Sequence, residues 1–322
     1  MGGKCLISLM RRLLAVVVMG CLSAQGQTIL DTLSLVDVQN AGNSASASGY
    51  GAVGYNFKIN RYEITSSQYA VFLNAVAQTD SYSLYNSYMG SGDPIWGAGK
   101  SILRSGSSGS YSYSVVAGRE YNPVSFVTMF SAMRFANWLS NGGVLGASTE
   151  TGAYSLNGAT SGYNWIRASN ANFWIPSIDE FVKAAFYNPS AGNYFSYGTG
   201  SNSQPLTSQA RYNNGNSPTS GIGNDSSAVG YYGITSPYGL FDVAGNLAEW
   251  SDTRIGLNRD GGAFYLLGGS IDSGGGGLAI TSVGTSWNSP NSDPNMFTGF
   301  RIAGVPEPSS LSLLLAGGTL LT

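Results

Sequence analysis

Three stretches of the chain place apolar residues at helical spacing behind a polar residue that can cap a helix. In the first, over residues 65–78, Thr65 and Gln68 form a capping box ahead of apolar positions spaced three or four apart. The second runs over 128–139 and is followed by Asn and Gly, which are typical of a helix end. The third, over 177–188, begins with another capping box and stops before a proline. This pattern predicts three short helices.

The rest of the chain shows little helical periodicity. Residues 57–62 suit a strand, and a hairpin is predicted near 111–116. From Gly192 onward the chain is rich in Gly, Asn and Ser, which favours loops and short strands. Aromatic residues recur in these loops and favour an ordered structure over a disordered one. No fixed period repeats, so a solenoid or propeller is not expected.

The N-terminal residues 1–24 have the pattern of a secretory signal peptide. Basic residues precede an apolar run at 13–19, and Leu22-Ser23-Ala24 offers a cleavage site. The apolar run is too short to span a bilayer. An alternative is a lipobox that ends at Cys21, which would then carry the lipid. Residues 25–54 are rich in Ser, Gly and Ala and are predicted to be a linker leading into a first strand.

Composition excludes several kinds of chemistry. The chain has no His, and its two cysteines, Cys5 and Cys21, both lie in the leader region. A Ser-His-Asp or Cys-His site, a zinc site of the usual His/Cys type and a His-bound iron are therefore excluded. The leader holds three of the 15 basic residues and none of the 17 acidic ones, so the remainder is mildly acidic. Such a chain has no electrostatic footprint for nucleic acid.

The segment 238–250 concentrates polar groups among glycines and large apolar residues. Two carboxylates, Asp242 and Glu249, flank Gly245 and Asn246. This composition predicts a buried, tightly wound loop whose oxygens converge on a cation. As an alternative, the two carboxylates cap turns or pair with an arginine such as Arg301.

Six short pieces of the chain match, in order, the sequence pattern of one family: 60–69, 122–126 with 137–139, 175–181, 238–250, 268–270 and 299–301. The first resembles Y-E-V-T-x-x-Q-Y, and the fourth resembles Y-G-L-x-D-M-x-G-N-V-x-E-W. The last two correspond to G-G-S and G-F-R. On these pieces the chain resembles the formylglycine-generating enzyme, or sulfatase-modifying-factor, family over about residues 55–304. The resemblance implies a compact, loop-rich α+β fold related to C-type lectins, with a few short helices and short antiparallel strands.

The resemblance also implies structural Ca²⁺. Carried over residue by residue, the site uses side-chain oxygens of Asp242 and Glu249 and backbone carbonyls of Gly245 and Leu247. Such hard oxygen donors are the ligands that Ca²⁺ prefers. A second calcium site would fall near 213–225, although Arg211 stands close to where the family has an Asn.

The chain departs from the family where the family's chemistry lies. The family's oxidase activity uses two copper-binding cysteines after G-G-S, but residues 273–278 here read Ser-Gly-Gly-Gly-Gly-Leu. The arginines usual before G-G-S and before L-P-T are replaced by Leu267 and Trp174. The related sulfoxide synthases rely on histidine-bound iron, and this chain has no histidine. We therefore expect neither copper nor iron, and neither of these oxidations.

The C-terminal residues 305–322 resemble a PEP-CTERM sorting signal, with Val-Pro-Glu-Pro-Ser ahead of an apolar run. The usual basic cluster after the run is missing, so either the chain is truncated at Thr322 or the signal is degenerate. The resemblance implies a bacterial protein that is exported to the cell surface or beyond and processed by an exosortase-type enzyme. Membrane contact would then be transient, through the leader and the tail.

Three functions are weighed from these patterns. The first is a non-catalytic surface or matrix module that binds an extracellular polysaccharide or an envelope protein through aromatic loop residues. The second is a purely structural envelope protein without a specific ligand. The third, the least favoured, is an enzyme with a rebuilt site, for which a carboxylate pair would come from Asp252, Asp260, Asp272 and Asp293.

Overall fold

The structure is a computed structural model that describes residues 28–95, 97–162, 165–213, 225–255, 263–288 and 295–306. Its α-helices in that part of the chain are α1 (Ser66–Val76), α2 (Tyr88–Ser91), α3 (Met129–Ser140) and α4 (Ile178–Phe186). Its strands there are β1 (Leu35–Val38), β2 (Phe57–Asn60), β3 (Ile102–Ser105), β4 (Ser112–Val115), β5 (Phe173–Trp174), β6 (Tyr187–Asn188), β7 (Asn193–Tyr194), β8 (Ala248–Ile255), β9 (Ala263–Leu267), β10 (Trp287–Asn288), β11 (Thr298–Gly299) and β12 (Ala303–Gly304). None of the helices so described has both the length and the apolarity to cross a membrane.

The three predicted helices are confirmed as α1, α3 and α4. Each begins behind the polar residue that the sequence indicates, and the side chains of Thr65, Thr128 and Ser177 accept hydrogen bonds from the backbone N–H three residues on. Such caps satisfy donors that the first helical turn leaves unpaired. The predicted strand at 57–62 is β2, and the predicted hairpin is wider than 111–116 because β4 pairs with β3.

Two four-stranded sheets bring distant parts of the chain together. The first has the order β1-β2-β12-β5, so the N-terminal and C-terminal parts of the domain pair in one sheet. The segment 25–54 supplies β1 to that sheet, and Ile29, Val38 and Val53 from the same segment are buried. The second sheet has the order β10-β9-β8-β11, in which β11 runs parallel to β8 and places Gly299 opposite Glu249. This pairing sets Arg301 close to the 238–250 segment.

Helices α1 and α3 share an aromatic core that also contains Phe300. The ring centroids of Phe72 lie 5.2 Å from Phe135 and 5.3 Å from Trp138, and Phe135 lies 5.3 Å from Phe300. These side chains are buried, and each full burial contributes about 1.5–3 kcal/mol. Few short helices and short strands around one core confirm the predicted α+β class.

Candidate functional site

The 238–250 segment forms the tightly wound loop that its composition predicts. Asp242 and Asn246 adopt the left-handed region, with φ of 58° and 62°. Gly245 has a φ of 95°, and a side chain there would collide with the carbonyl of Arg211. Left-handed backbone is costly for residues with a Cβ, so neighbouring contacts must hold this loop.

Those contacts come from a cluster of the buried Arg301, Glu249 and Glu63 with the half-buried Asp242, called here the Arg301 centre. The Arg301 guanidinium makes a two-pronged contact with Glu249, with Nε 2.5 Å from Oε2 and Nη2 2.6 Å from Oε1. Its remaining N–H groups donate to the carbonyls of Asn60, Arg61 and Phe241. Arg301 is 0% exposed. Buried charges of this kind persist only when paired and hydrogen-bonded, as they are here.

Two further carboxylates complete the Arg301 centre. Glu63 accepts hydrogen bonds from Nδ2 of Asn246 at 2.6 Å and from the backbone N–H of Leu247 at 3.0 Å. Asp242 accepts one from the backbone N–H of Gly230 at 2.6 Å. Burial is the main cause that raises the pKa of Glu63 well above its usual range and the pKa of Asp242 to about 6. Three carboxylates around one guanidinium leave excess negative charge, which favours either bound protons or a second cation.

The four residues predicted to bind calcium lie together in this loop, but they fit the ion only in part. Asp242 borders a small cavity of about 10 Å³, and the buried hydroxyl of Thr199 on the same cavity has no hydrogen-bond partner. Both oxygens of Glu249 contact Arg301, so an ion would have to share them. Within the described ranges, no group of three or more His, Cys, Asp or Glu side chains is suited to a metal.

The backbone of the other two predicted ligands is also tied into the fold. The N–H of Gly245 donates to the carbonyl of Gly268, and the N–H of Leu247 donates to Glu63. The pairing of Glu249 with Arg301 is the alternative that the sequence leaves open. Calcium therefore stays a prediction. The second calcium site falls largely on 214–224, outside the described residues.

The stretch after Gly268-Gly269-Ser270 is closely packed. Ser273 accepts a hydrogen bond through Oγ from the backbone N–H of Ser270 at 2.9 Å. Leu278 ends a short 3₁₀ helix, is 1% exposed and packs with Ala210, Tyr212 and Ala244 in a small apolar cluster. The resemblance places the family's two thiols within the stretch 273–278, which in this protein begins with a bonded hydroxyl and ends with a buried leucine. Leu267 and Trp174, which replace the family's arginines, are buried as well.

A second cluster lies around Arg167, called here the Arg167 centre. Its Nη1 lies 2.9 Å from Glu180, and its Nε lies 3.7 Å from Asp252. Tyr154 donates its hydroxyl to Asp252 at 3.1 Å, and the indole N–H of Trp174 donates to Glu180. Burial raises the pKa of Asp252 to about 7, against the opposing effect of Arg167.

The Arg167 centre brings together two carboxylates, Glu180 and Asp252, as an enzyme with a rebuilt site would require. Of the four candidates, Asp252 belongs to it, whereas Asp272 is exposed on a loop. Asp260 and Asp293 lie outside the described residues. Sequence reasoning missed the partner of Asp252, although Glu180 is visible as the last residue of a capping box. The centre borders a pocket of about 320 Å³ that Tyr55, Arg167 and Trp174 help to line.

Comparison with known proteins places the chain in a family. Residues 37–305 match the Sulfatase-modifying factor enzyme 1-like domain, and the chain therefore belongs to that family. This match bears out the resemblance that the six sequence pieces indicate. No curated protein sequence matches the chain.

Two solved structures have a similar fold. The crystal structure of CarF aligns with a TM-score of 0.58 at 19% identity, and the alignment covers 85% of this chain and 99% of CarF. Treponema denticola variable protein 1 aligns with a TM-score of 0.54 at 20% identity, over 84% of this chain and 95% of that one. At these identities the likeness concerns the fold, which is the C-type-lectin-like architecture that the resemblance implies.

Proposed function

We propose that this protein is an exported, non-catalytic member of its family that binds a component of the bacterial envelope, either a glycan or a protein. One observation carries the proposal: the stretch 273–278, where the resembling oxidases have two thiols, contains no cysteine and is closely packed, from the hydrogen-bonded Ser273 to the buried Leu278. An alkyl group and a neutral hydroxyl offer no thiolate to bind copper or to pass electrons.

The leader at 1–24 and the tail at 305–322 support the choice of compartment. Both are sequence features, and both fall wholly or largely outside the described residues. Under the proposal the leader directs export, and an exosortase-type enzyme reads the tail. The protein then acts at the cell surface or in the extracellular matrix, and it touches the membrane only in transit.

Structural calcium is part of the proposal. The excess of carboxylates in the Arg301 centre and the small cavity at Asp242 support a cation there. In this arrangement Asp242 and the carbonyls of Gly245 and Leu247 would hold the ion, and Glu249 would be shared between the ion and Arg301. Calcium would then stabilise the loop and take no part in a reaction.

A sedimentation experiment tests the binding function. Purified full-length protein is mixed with the insoluble envelope fraction of the producing bacterium, and the bound protein is measured over a range of concentrations. We expect saturable binding that heat-unfolded protein lacks. Failure to bind any envelope fraction would contradict the proposal. Sedimentation of the protein alone, without envelope, would favour the structural alternative, in which the chain assembles a layer by itself.

A further inference from the structure

An open groove lies between helix α1, the segment before α3 and the turn at 228–231. Its volume is about 530 Å³, and its side chains include Ile29, Tyr62, Val71, Glu120, Tyr121 and Val229. We call it the tyrosine groove. Tyr121 is 71% exposed and Val71 is 49% exposed, so both present apolar surface to solvent. The volume is within the range of about 300–1,000 Å³ that is usual for ligand sites.

The Arg301 centre holds two sides of the tyrosine groove in place. Arg301 Nη1 donates to the carbonyl of Arg61, next to Tyr62, and the Tyr62 ring stacks on Phe241 at 5.1 Å and 9°. On the facing side, Asp242 accepts from the N–H of Gly230, directly after Val229. Val229 in turn donates its N–H to the carbonyl of Tyr121. The backbone that carries the two tyrosines is therefore fixed before any ligand arrives, which lowers the entropic cost of binding.

The lining chemistry restricts the ligand. Glu120 is the one charged side chain among the described residues that line the groove, and no Lys or Arg is among them. A phosphate, a sulfated chain or a uronic acid would meet a negative charge without a counter-charge. The other polar groups are the hydroxyls of Ser34 and Ser67 and the side chains of Thr32, Thr65 and Gln68, which already hydrogen-bond within the protein.

An exposed tyrosine ring, Tyr121, beside a half-buried one, Tyr62, and near hydroxyls and a carboxylate suits a sugar ring. The apolar C–H face of a pyranose packs on an aromatic face, and its hydroxyls can donate to a carboxylate in charge-assisted hydrogen bonds. An apolar peptide would match the rings and the aliphatic side chains, but it would desolvate the Glu120 carboxylate without replacing its hydrogen bonds to water. The observations therefore favour a neutral glycan over a peptide.

We infer that the tyrosine groove binds a neutral, pyranose-based polysaccharide, with Tyr121 as the stacking platform and Glu120 as the acceptor of sugar hydroxyls. This inference rests on the proposed binding function and names the ligand class and the site. It assigns the ligand neither to the Arg167 pocket nor to the stretch at 273–278.

Calorimetric titration of the full-length protein tests the inference. The probes are the neutral hexasaccharides cellohexaose, laminarihexaose and maltohexaose, with a hyaluronan oligosaccharide as the anionic comparison. We expect at least one neutral probe to bind with a Kd of about 1 mM or tighter and the hyaluronan probe not to bind. Tyr121→Ala should weaken that binding by about tenfold or more, and Glu120→Gln by less.

The matched control is Tyr88→Ala, which removes another partly exposed tyrosine, 40% exposed, outside the groove and should leave binding unchanged. Because the Tyr121 side chain is mostly exposed, its variant should keep the wild-type melting temperature. The inference is overturned if no neutral probe binds, if hyaluronan binds better, or if Tyr121→Ala binds as tightly as the wild type.

The envelope sedimentation assay separates this inference from the proposed function. If Tyr121→Ala sediments with the envelope as well as the wild type does, the groove is not the binding site, and the general binding function stands. If the wild type does not sediment at all, the binding function itself fails.

Discussion

The Arg301 centre and the Arg167 centre are built from the same parts but face different surroundings. In each, one guanidinium lies among two or three buried or half-buried carboxylates, so the negative charge exceeds the positive charge. The Arg301 side chain is fully enclosed, whereas the Arg167 side chain is 23% exposed and borders a pocket of about 320 Å³. The enclosed centre links four segments of the chain, at residues 60–63, 230, 241–249 and 301.

This difference gives the two centres different roles: the Arg301 centre stabilises the fold, and the Arg167 centre is accessible to ligands. The Arg301–Glu249 pair presents no surface to a large ligand. The Arg301 centre therefore serves the fold by holding a strained loop and two sides of the tyrosine groove, and the calcium proposed at Asp242 would have the same structural role. The Arg167 centre can exchange partners with solvent or with a molecule in its pocket. Motif residues of the family supply the first centre, which explains why a domain without the family's thiols can keep its shape.

Replacing the enclosed guanidinium should have the largest effect. Arg301→Met leaves Glu249 buried without its partner, and we expect a loss of about 3–5 kcal/mol in the free energy of unfolding, measured by urea denaturation. The control is Lys58→Met, because Lys58 lies 3.9 Å from an exposed Asp37 and its loss should cost at most about 1 kcal/mol. Equal effects of the two substitutions would remove the distinction between an enclosed centre and a surface pair.

Calcium should distinguish the two centres, because we expect it to bind at the Arg301 centre and not at the Arg167 centre. At about 100 times its dissociation constant, one Ca²⁺ that binds only the folded state adds roughly 2.7 kcal/mol to stability. We expect Asp242→Asn to reduce this gain and Asp252→Asn to leave it unchanged, as measured by thermal melting with calcium and with chelator. A melting temperature that chelation does not alter would end the calcium proposal.

Replacing the open guanidinium should cost less. Arg167→Met removes charge-assisted hydrogen bonds to Glu180, for which we expect a loss of about 1.5–3 kcal/mol in urea denaturation. The partial exposure of Arg167 lets water replace some of what is lost. A loss as large as that of Arg301→Met would show that the two centres carry the fold equally.

The pH dependence of stability should report on Asp252. Its pKa rises from 3.8 to about 7 in the folded protein, so between those values the folded state holds a proton that the unfolded state has released. The stabilisation is complete below about pH 4 and is lost as pH rises toward 7, with a slope of at most about 1.4 kcal/mol per pH unit. Asp252→Asn should flatten this slope, whereas Asp272→Asn at an exposed position should not. A slope that the first substitution does not change would contradict the assignment.

How much of the structure the sequence predicts depends on how far apart the interacting residues lie along the chain. Helices α1, α3 and α4 are predictable because each cap joins residues three apart. The wound loop around Gly245 and Asn246 is also visible locally. The pairing of Glu249 with Arg301 is foreseen only as an alternative, and the role of Glu63 is not foreseen, because it bonds Asn246 from 183 residues away.

The Arg167 centre and the tyrosine groove lie beyond sequence reasoning. The sequence identifies Asp252 as a candidate carboxylate, but no local pattern connects it with Tyr154 and Arg167. These residues lie in loops that folding brings to Asp252. The groove likewise combines Ile29, Tyr121 and Val229, which no local pattern connects. Local sequence patterns therefore predict the helices and the wound loop at 238–250. The surfaces available for binding arise from packing between distant segments.

The most direct test of the central claim is an oxidation assay. Full-length protein is incubated with a cysteine-containing sulfatase peptide, copper and oxygen, and mass spectrometry follows conversion of the cysteine to formylglycine, with an active family enzyme assayed alongside. Because the stretch 273–278 contains no cysteine, we expect no aldehyde above the level without enzyme. Conversion of many peptide molecules per molecule of this protein would contradict the proposal that the protein is non-catalytic.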